Sequence, residues 1–555
     1  MNRTEILEKL NSGDCKTAIA LLERLLDEHP DDPDLLGLLG VALEEWGDGD
    51  GAERALRRAL TLPSERAIRL RNAGNLACLL FDAGRRDEAA ALLRDGWRWL
   101  ADRTPGVNER ICLAVLAEVM QHLGLHEETI NLLSALPDLI EPDWRLLKPL
   151  VVAMAMTDRA DEALRLLEAY HPPDTAAYER HALLAHLYWR GGQTNRAAEA
   201  RNAYIADAPP MIGSPRAAQK YVIGVLESPP ACQHLIHPNR LHRLHSNYPG
   251  RMARRLSDRY RLASIFAGSG PEAIREFNGW QPAVVINNIV NPEYLLSPNT
   301  LTAVRDVAEQ LQAPILNPPE KAALCTREMN GPRLSDIPGL RLPKVCRFVR
   351  DLSRLDELVA VVEGELRYPL IVRTTFQHES ANMTLVHARD ELKRVLRGLG
   401  TEQFYVIEYL GAPRRDRYFR RIRAAFVDSA PIVMRADYAE DWIVRSRNKI
   451  PLEVYRARPD LLSEANAIVE MPARQLGANA LDTLHAVAQA IPLDVFGMDF
   501  DVDEDGQVVF FEANAAMNFF SNAPEEFPYP AEAERQFCDA LEAALDKRAS
   551  GQTPC

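Results

Sequence analysis

No stretch of this 555-residue chain is long and apolar enough to read as a membrane span. The most apolar run, LLKPLVVAMAM, is broken by Lys148 and Pro149 and falls well short of the ~20 residues that cross a bilayer. The opening, MNRTEILEKL, lacks the apolar core of a secretory leader, so the expected location is the cytoplasm. Cysteine supplies no framework either. Its eight copies, at 15, 78, 112, 232, 325, 346, 538 and 555, form no C-x-x-C pair and have no histidine at zinc spacing, which points to free thiols. Basic residues are outnumbered, with 65 Lys and Arg against 79 Asp and Glu for a net charge of −14. Such a chain has no general basic face with which to displace counterions from nucleic acid. Neither a membrane nor a nucleic acid is expected as a partner.

What is present is a soluble composition, 47% hydrophobic and 26% charged, on a chain long enough for about three or four domains. The first 210 residues repeat. Six helical hairpins align on turn residues Gly13, Gly47, Gly84, Gly124, Asp158 and Gly192, at intervals of 34, 37, 40, 34 and 34. Five residues after each anchor stands a small residue where two helices would touch: Ala18, Ala52, Ala89, Thr129, Ala163 and Ala197. Apolar residues at helical spacing flank every anchor, and several second helices stop near a proline (Pro30, Pro63, Pro137, Pro172, Pro209). The pattern resembles the tetratricopeptide repeat (TPR), a helix-turn-helix unit of about 34 residues that stacks into a solenoid. That resemblance implies a concave surface for a peptide, protein or carrier partner. The alternative is a scaffold that packs against the rest of the chain or joins two copies as a homodimer.

Beyond residue 210 the texture changes. Proline-rich and polar stretches (ADAPPMIGSPRAAQ, ESPPACQHLIHPNR) give way to short β-branched runs, AVVINNIV, YPLIVRTTF and FYVIEYL, separated by helical patterns. This reads as α/β. FAGSG, near Gly268, is too short a glycine pattern for a dinucleotide site.

The segment FGMDFDVDEDGQVVFFEANAA holds two alternating runs about Asp505-Gly506, a favoured two-residue hairpin turn. Such a turn places Glu504 opposite Gln507 and Asp499 opposite Glu512. Asp499, Asp501, Phe510, Glu512 and Asn514 would then share one face, with Met498, Phe500, Val502, Val509, Phe511 and Ala513 on the other. Gly497, opposite Asn514, would leave that corner without a side chain. Two opposed carboxylates repel unless a cation or proton joins them, and magnesium takes one or two carboxylates while keeping positions for water and phosphate. Asp499, Glu512 and Asn514 are therefore the candidate metal ligands, whereas Asp501 and Asp503 read as a solvated edge.

A hairpin of this form returning as Glu-x-Asn resembles the metal-binding end of the ATP-grasp superfamily of carboxylate ligases. RYPLIVRTTFQHESANMTLV resembles its strand and nucleotide-covering loop, with Arg373 where a lysine is usual and His378 and Glu379 at the loop tip. YVIEYL resembles the strand joining the subdomains that sandwich adenine, with Glu408, Tyr409 and Leu410 on the adenine side. RYFRRIRAAFVDSAPIVMRADY resembles the next hairpin, which brings basic groups to the phosphates, and Arg327 stands where a nucleotide-contacting base is common. The resemblance spans about residues 280 to 545. It departs at Arg373, in the glycine-free loop QHESANM, and in NAAMN, which lacks the usual Gly and Pro.

The resemblance implies a multidomain architecture: a TPR-like solenoid over 1–210, a linker and small α/β domain over 211–345, and an ATP-grasp domain over 346–550. It implies ATP and Mg2+, a carboxylate activated as an acyl phosphate, and capture by an amine or other nucleophile. Arg421 and Arg423 share one strand face and are the candidate catalytic pair; a solvated basic edge or an RNA strip with Tyr418 and Phe419 are the alternatives. A noncatalytic repeat scaffold with a degenerate ATP site, and a kinase, are the competing functions.

Overall fold

The computed structural model describes residues 6–7, 9–10, 15–98, 107–136, 143–170, 177–213, 219–227, 250–289, 292, 298–375, 383–399, 403–411, 418–444, 450–515, 517, 519 and 531–551. Their contacts divide the chain into two compact units, the first formed chiefly by Met1–Pro209 and the second by His245–Cys555 with two short segments before it.

In the first unit a helix at Cys15–Glu28 precedes five helical hairpins: Pro33–Trp46 with Gly49–Thr61, Arg66–Asp82 with Arg86–Arg98, Val107–His122 with His126–Ser134, Trp144–Met156 with Ala160–Ala169, and Ala177–Arg190 with Thr194–Asp207. Local chemistry sets the boundaries of the first. Asp32 accepts the N–H groups of Asp34 (2.8 Å) and Leu35 (3.1 Å), and Pro33 follows at a position where its missing N–H costs nothing. The helix stops at Gly47, whose φ of 95° lets the chain turn back, and Asp48 then caps the next helix through the Gly51 N–H at 2.9 Å. Gly84, Gly124 and Gly192 make the same left-handed turn, whereas the Asp158 turn is made without a left-handed residue. Gly13 lies outside the described residues. Ala18, Ala52, Ala89, Thr129 and Ala163 are fully enclosed and Ala197 nearly so, and the Thr129 hydroxyl is satisfied by the Leu125 carbonyl at 2.8 Å. The small residues are enclosed, as their spacing predicts.

Among the described residues the second unit contains three sheets. Strands β1 (Met211–Ile212), β2 (Val222–Glu227), β3 (Arg261–Phe266), β4 (Val284–Asn287) and β5 (Ile315–Leu316) form the first, in the order β1-β3-β2-β4-β5. Strands β2 to β5 run parallel, and β1 pairs antiparallel with β3. Strand β6 (Leu340–Arg341) belongs to the third sheet. Strands β7 (Val345–Val349), β8 (Leu370–Thr374), β9 (Met383–Val386) and β10 (Gln403–Glu408) form the second, antiparallel throughout in the order β7-β10-β8-β9. Strands β11 (Phe419–Val427), β12 (Ala430–Ala439), β13 (Val495–Val502) and β14 (Val508–Asn514) complete the third, β12-β11-β13-β14-β6, with β6 parallel to β14.

The second sheet has its own core with the helices Leu355–Glu365 and Arg389–Gly398, built on Val359, Val362, Leu392 and Leu396. The first and third sheets share another, in which Leu226, Ile265 and Val285 join Phe426, Phe496, Met498 and Phe500. Asn317, just past β5 with a left-handed φ of 57°, ties the two sheets together. Its side chain donates to the Val495 carbonyl at 2.6 Å and accepts the N–H groups of Asp494 (2.7 Å) and Val495 (3.0 Å).

The hairpin of β13 and β14 corrects the predicted turn. Asp499 does oppose Glu512 and Gly497 does oppose Asn514, but the loop spans 503–507, and Phe500 pairs with Phe510. Asp503 organises it, accepting the N–H groups of Asp505 (3.1 Å) and Gln507 (2.8 Å). The loop sets the strands one residue out of the expected register, and a bulge at Phe511 restores it. On β14 the face assignment between turn and bulge is therefore reversed, while β13 keeps Asp499 and Asp501 toward the cavity between the second and third sheets and Met498 and Phe500 in the core, as expected. Phe510 packs into the core with Phe500 and Val508 and also borders that cavity, which Val509 and Phe511 line. The corner beside Gly497 is also filled: a Cβ there would lie 2.6 Å from Met517 Cβ and 2.8 Å from the Phe519 ring.

Candidate active site

Within the second unit, the second and third sheets line one cavity of about 350 Å³, a size suited to a small ligand. One wall is apolar: Ile371 of β8, Met383 of β9 and Ile407 of β10, continued by Tyr409, Leu410, Ile443 and Val444. The Tyr409 ring meets Trp442 edge-on, with centroids 5.8 Å apart. Burial, then the nearby Asp441 charge, pushes the Tyr409 hydroxyl up to about 12, so it stays protonated. Glu408 is pinned at the cavity edge, where its carboxylate accepts the Lys344 N–H at 3.2 Å.

The other wall is charged. Arg327, the first residue of the helix Arg327–Leu334, pairs with Glu512, and Arg373 of β8 approaches the same carboxylate at 3.6 Å. Burial raises the cost of ionising Glu512, but Arg327 and Arg373 outweigh it and hold the carboxyl far below its ordinary value. Asp499 faces Arg423 across the β11/β13 pair, and both its oxygens are taken, by Arg423 Nε at 2.7 Å and a terminal nitrogen at 2.8 Å. Arg421 lies 3.4 Å from Asp499 and bonds Asp437 of β12 at 2.9 Å. Burial works against the Arg421 charge, yet Asp499 and Asp437 together raise its pKa. Arg435 goes the other way: burial and then Arg423 push it down to about 10, with Asp437 restoring part. This sheet face is a lattice of guanidinium and carboxylate groups, fixed by strand alternation.

Of the sequence candidates, Arg327, Arg373, Glu408, Tyr409, Leu410, Arg421, Asp499 and Glu512 line this one cavity. Arg423 stands behind Asp499, Asn514 is not among the lining residues, and His378 and Glu379 fall outside the described residues. The compensation that the sequence assigned to a metal is here supplied by arginines, and among the described residues no three His, Cys, Asp or Glu side chains cluster as a metal site. The donor chemistry that fits magnesium is the opposed pair Asp499 and Glu512, one or two carboxylates being what that ion takes from protein.

Five participants were not anticipated. Trp442 carries no spacing signal. Phe511 was hidden by the bulge. Asp437 and Arg435 were within reach, because MRADY alternates opposite RRIR once the two runs are read as neighbours. Asp501, read as a solvated edge, instead binds Arg420 at 2.6 Å and borders the cavity.

A family model of the tetratricopeptide repeat matches residues 9–67. A comparison with curated proteins finds no match. Solved structures similar to this chain include the VanG D-Ala:D-Ser ligase from Enterococcus faecalis, at 14% identity and a TM-score of 0.36, covering 59% of this chain and 100% of that one. They include the ATP-grasp ligase PsnB complexed with a minimal precursor, Mg and ADP, at 17% identity and a TM-score of 0.32, over 58% and 98% of the two chains. The D-alanine-D-alanine ligase from Coxiella burnetii is similar at 12% identity and a TM-score of 0.35, over 60% and 96%. The chain begins with a TPR-like helical unit and continues into an α/β unit with mixed and antiparallel sheets.

Proposed function

We propose that the protein is an ATP-dependent ligase. A substrate carboxylate oxygen attacks the γ-phosphorus of ATP and ADP leaves; the acyl phosphate is then attacked at carbon by an amine or other nucleophile, and phosphate leaves. The observation that carries this reading is the division of one cavity into an apolar wall at Ile371, Ile407 and Leu410, suited to a base, and a wall bearing Arg327, Arg373 and Arg421, suited to phosphates.

Phosphoryl transfer depends chiefly on positioning and on neutralising charge, so no protein nucleophile is required. Arg373 and Arg327 would take the phosphate oxygens through forked N–H donors, and Arg421 would stand beside the transferred group. The apolar wall, closed by Tyr409 and Trp442, would hold the base and keep water from the acyl phosphate. A magnesium ion accompanying the nucleotide would be held by Glu512 and Asp499 and would supply further neutralisation between the phosphates. The TPR-like unit would bind a peptide, protein or carrier partner.

The test is ADP release from the full chain with candidate carboxylates and amines. It is expected to require both, and to fall about 10²–10³-fold in Arg373→Ala and Glu512→Ala. Full activity in both variants overturns the site. A second reading, a nucleotide-binding scaffold without turnover, is favoured by one observation: both oxygens of Asp499 are already held by Arg423. Nucleotide-dependent thermal stabilisation without acceptor-dependent ADP release supports that reading.

A further inference from the structure

In the second sheet, alternation sends Phe404 and Val406 of the interior strand β10 into the core with the two helices and turns Tyr405 to the opposite face. Tyr405 stands opposite Arg347 of β7 on one side and Arg373 of β8 on the other, so the three form a row across the sheet. Ile371 and Ile407, two residues along from Arg373 and Tyr405, turn that same face toward the nucleotide cavity. Tyr405 itself is fully buried and lines no part of the cavity.

The helix Arg327–Leu334 meets this row. Its Glu328 accepts the Tyr405 hydroxyl at 2.7 Å on Oε2, and Arg347 Nε lies 3.1 Å from Oε1. Leu334, at the far end of the helix, is buried in the core shared by the first and third sheets, and Arg327 pairs with Glu512 of the third. Two consecutive side chains thus fasten one helical turn to two sheets. An acid in the first turn would favour the helix by its charge alone, but this carboxylate also joins helix to sheet. Arg327 is on the helix and Arg373 on the sheet, so the placement of these two guanidinium groups relative to each other follows from how helix and sheet are joined. Glu512 touches both, yet it is also the carboxylate that a magnesium ion would use once a nucleotide enters. Glu328 makes its join without lining the cavity.

We propose that Glu328 is a positioning residue: through Tyr405 and Arg347 it holds Arg327 and Arg373 at the mutual placement in which both take the phosphates of one nucleotide. The assignment rests on the reading of the cavity as a nucleotide site. Glu328 contributes by placement alone, and a shift of about 1 Å in a supported group can cost on the order of 100-fold.

Binding of MgADP and of adenosine, which lacks the phosphates, is measured calorimetrically on the full chain. The unmodified protein is expected to prefer MgADP by at least about tenfold. In Glu328→Ala and in Tyr405→Phe the affinity for MgADP should fall about tenfold while that for adenosine stays within about twofold. The double variant should lose no more than Glu328→Ala alone, and Glu328→Gln, which keeps an acceptor for the hydroxyl, should stay within about threefold of the unmodified protein. Thermal melting checks folding, and Tyr405→Phe, which removes a single hydroxyl, carries the test where Glu328→Ala does not fold. Loss of both ligands together, an undiminished preference for MgADP in either single variant, additive losses in the double variant, or a Glu328→Gln as weak as Glu328→Ala overturns the proposal and leaves the nucleotide site standing. Equal binding of the two ligands by the unmodified protein overturns the nucleotide site and this assignment with it.

Discussion

Asp499 shows how one side chain is committed by its neighbours across the sheet. Its two oxygens are bound by Arg423 and approached by Arg421, and it is 3% exposed, so removing its charge leaves two guanidinium groups short of an enclosed counter-ion. Breaking a buried pair from one side costs about 3–5 kcal/mol. Asp499→Asn is therefore expected to lower stability by about that amount, as measured by urea unfolding in the absence of nucleotide. A stability equal to the parent's would show that Asp499 is not held this way. The opposition of Asp499 and Glu512, expected from a two-residue turn, holds because the longer loop and the bulge at Phe511 offset each other. The pairing with Arg423 was not legible, because it depends on which distant strand lies alongside β13, and a residue 76 positions away supplies the partner. Sequence showed two acids needing a positive charge and could not show that the chain carries that charge itself.

At the scale of elements, the β13/β14 hairpin was recognisable from its alternation and its Asp-Gly pair, while its loop length and bulge were hidden. Asp503 is one of three acids in DEDG stretch positions 503 to 505, and nothing in the string says which of them will gather the loop N–H groups. The repeats were easier, because a left-handed glycine and a helix-contact alanine are each nearly a one-residue code: Gly47, Gly84, Gly124 and Gly192 turn, and Ala52, Ala89 and Ala163 are enclosed. Gly497 carries a different constraint. A methyl group there meets the backbone-proximal Cβ of Met517, which has little freedom to retreat. Gly497→Ala is expected to cost about 1–3 kcal/mol in denaturant unfolding, the range for overpacking a filled core, while a cost near zero would mean that Met517 and Phe519 move aside freely.

For the whole molecule, the order of motifs along the chain gave more than any motif alone, since individually weak segments in a fixed sequence specify a scaffold that none specifies by itself. The two compact units differ in what stabilises them: stacked helical pairs in one, three sheets in the other. Stacked pairs contact mainly their neighbours, so residues 1–209 expressed alone are expected to give a helical circular-dichroism spectrum and a cooperative thermal transition. A disordered spectrum would show that this unit depends on the rest of the chain. Asn317 carries a consequence of another kind. It touches neither wall of the cavity, yet one amide holds the start of β13 against the end of β5 through three side-chain bonds, in a backbone conformation few residues accept. In a genetic screen, missense changes at this position would fall among the loss-of-function alleles, and a geneticist mapping them by phenotype alone would mistake a hinge pin for a ligand contact.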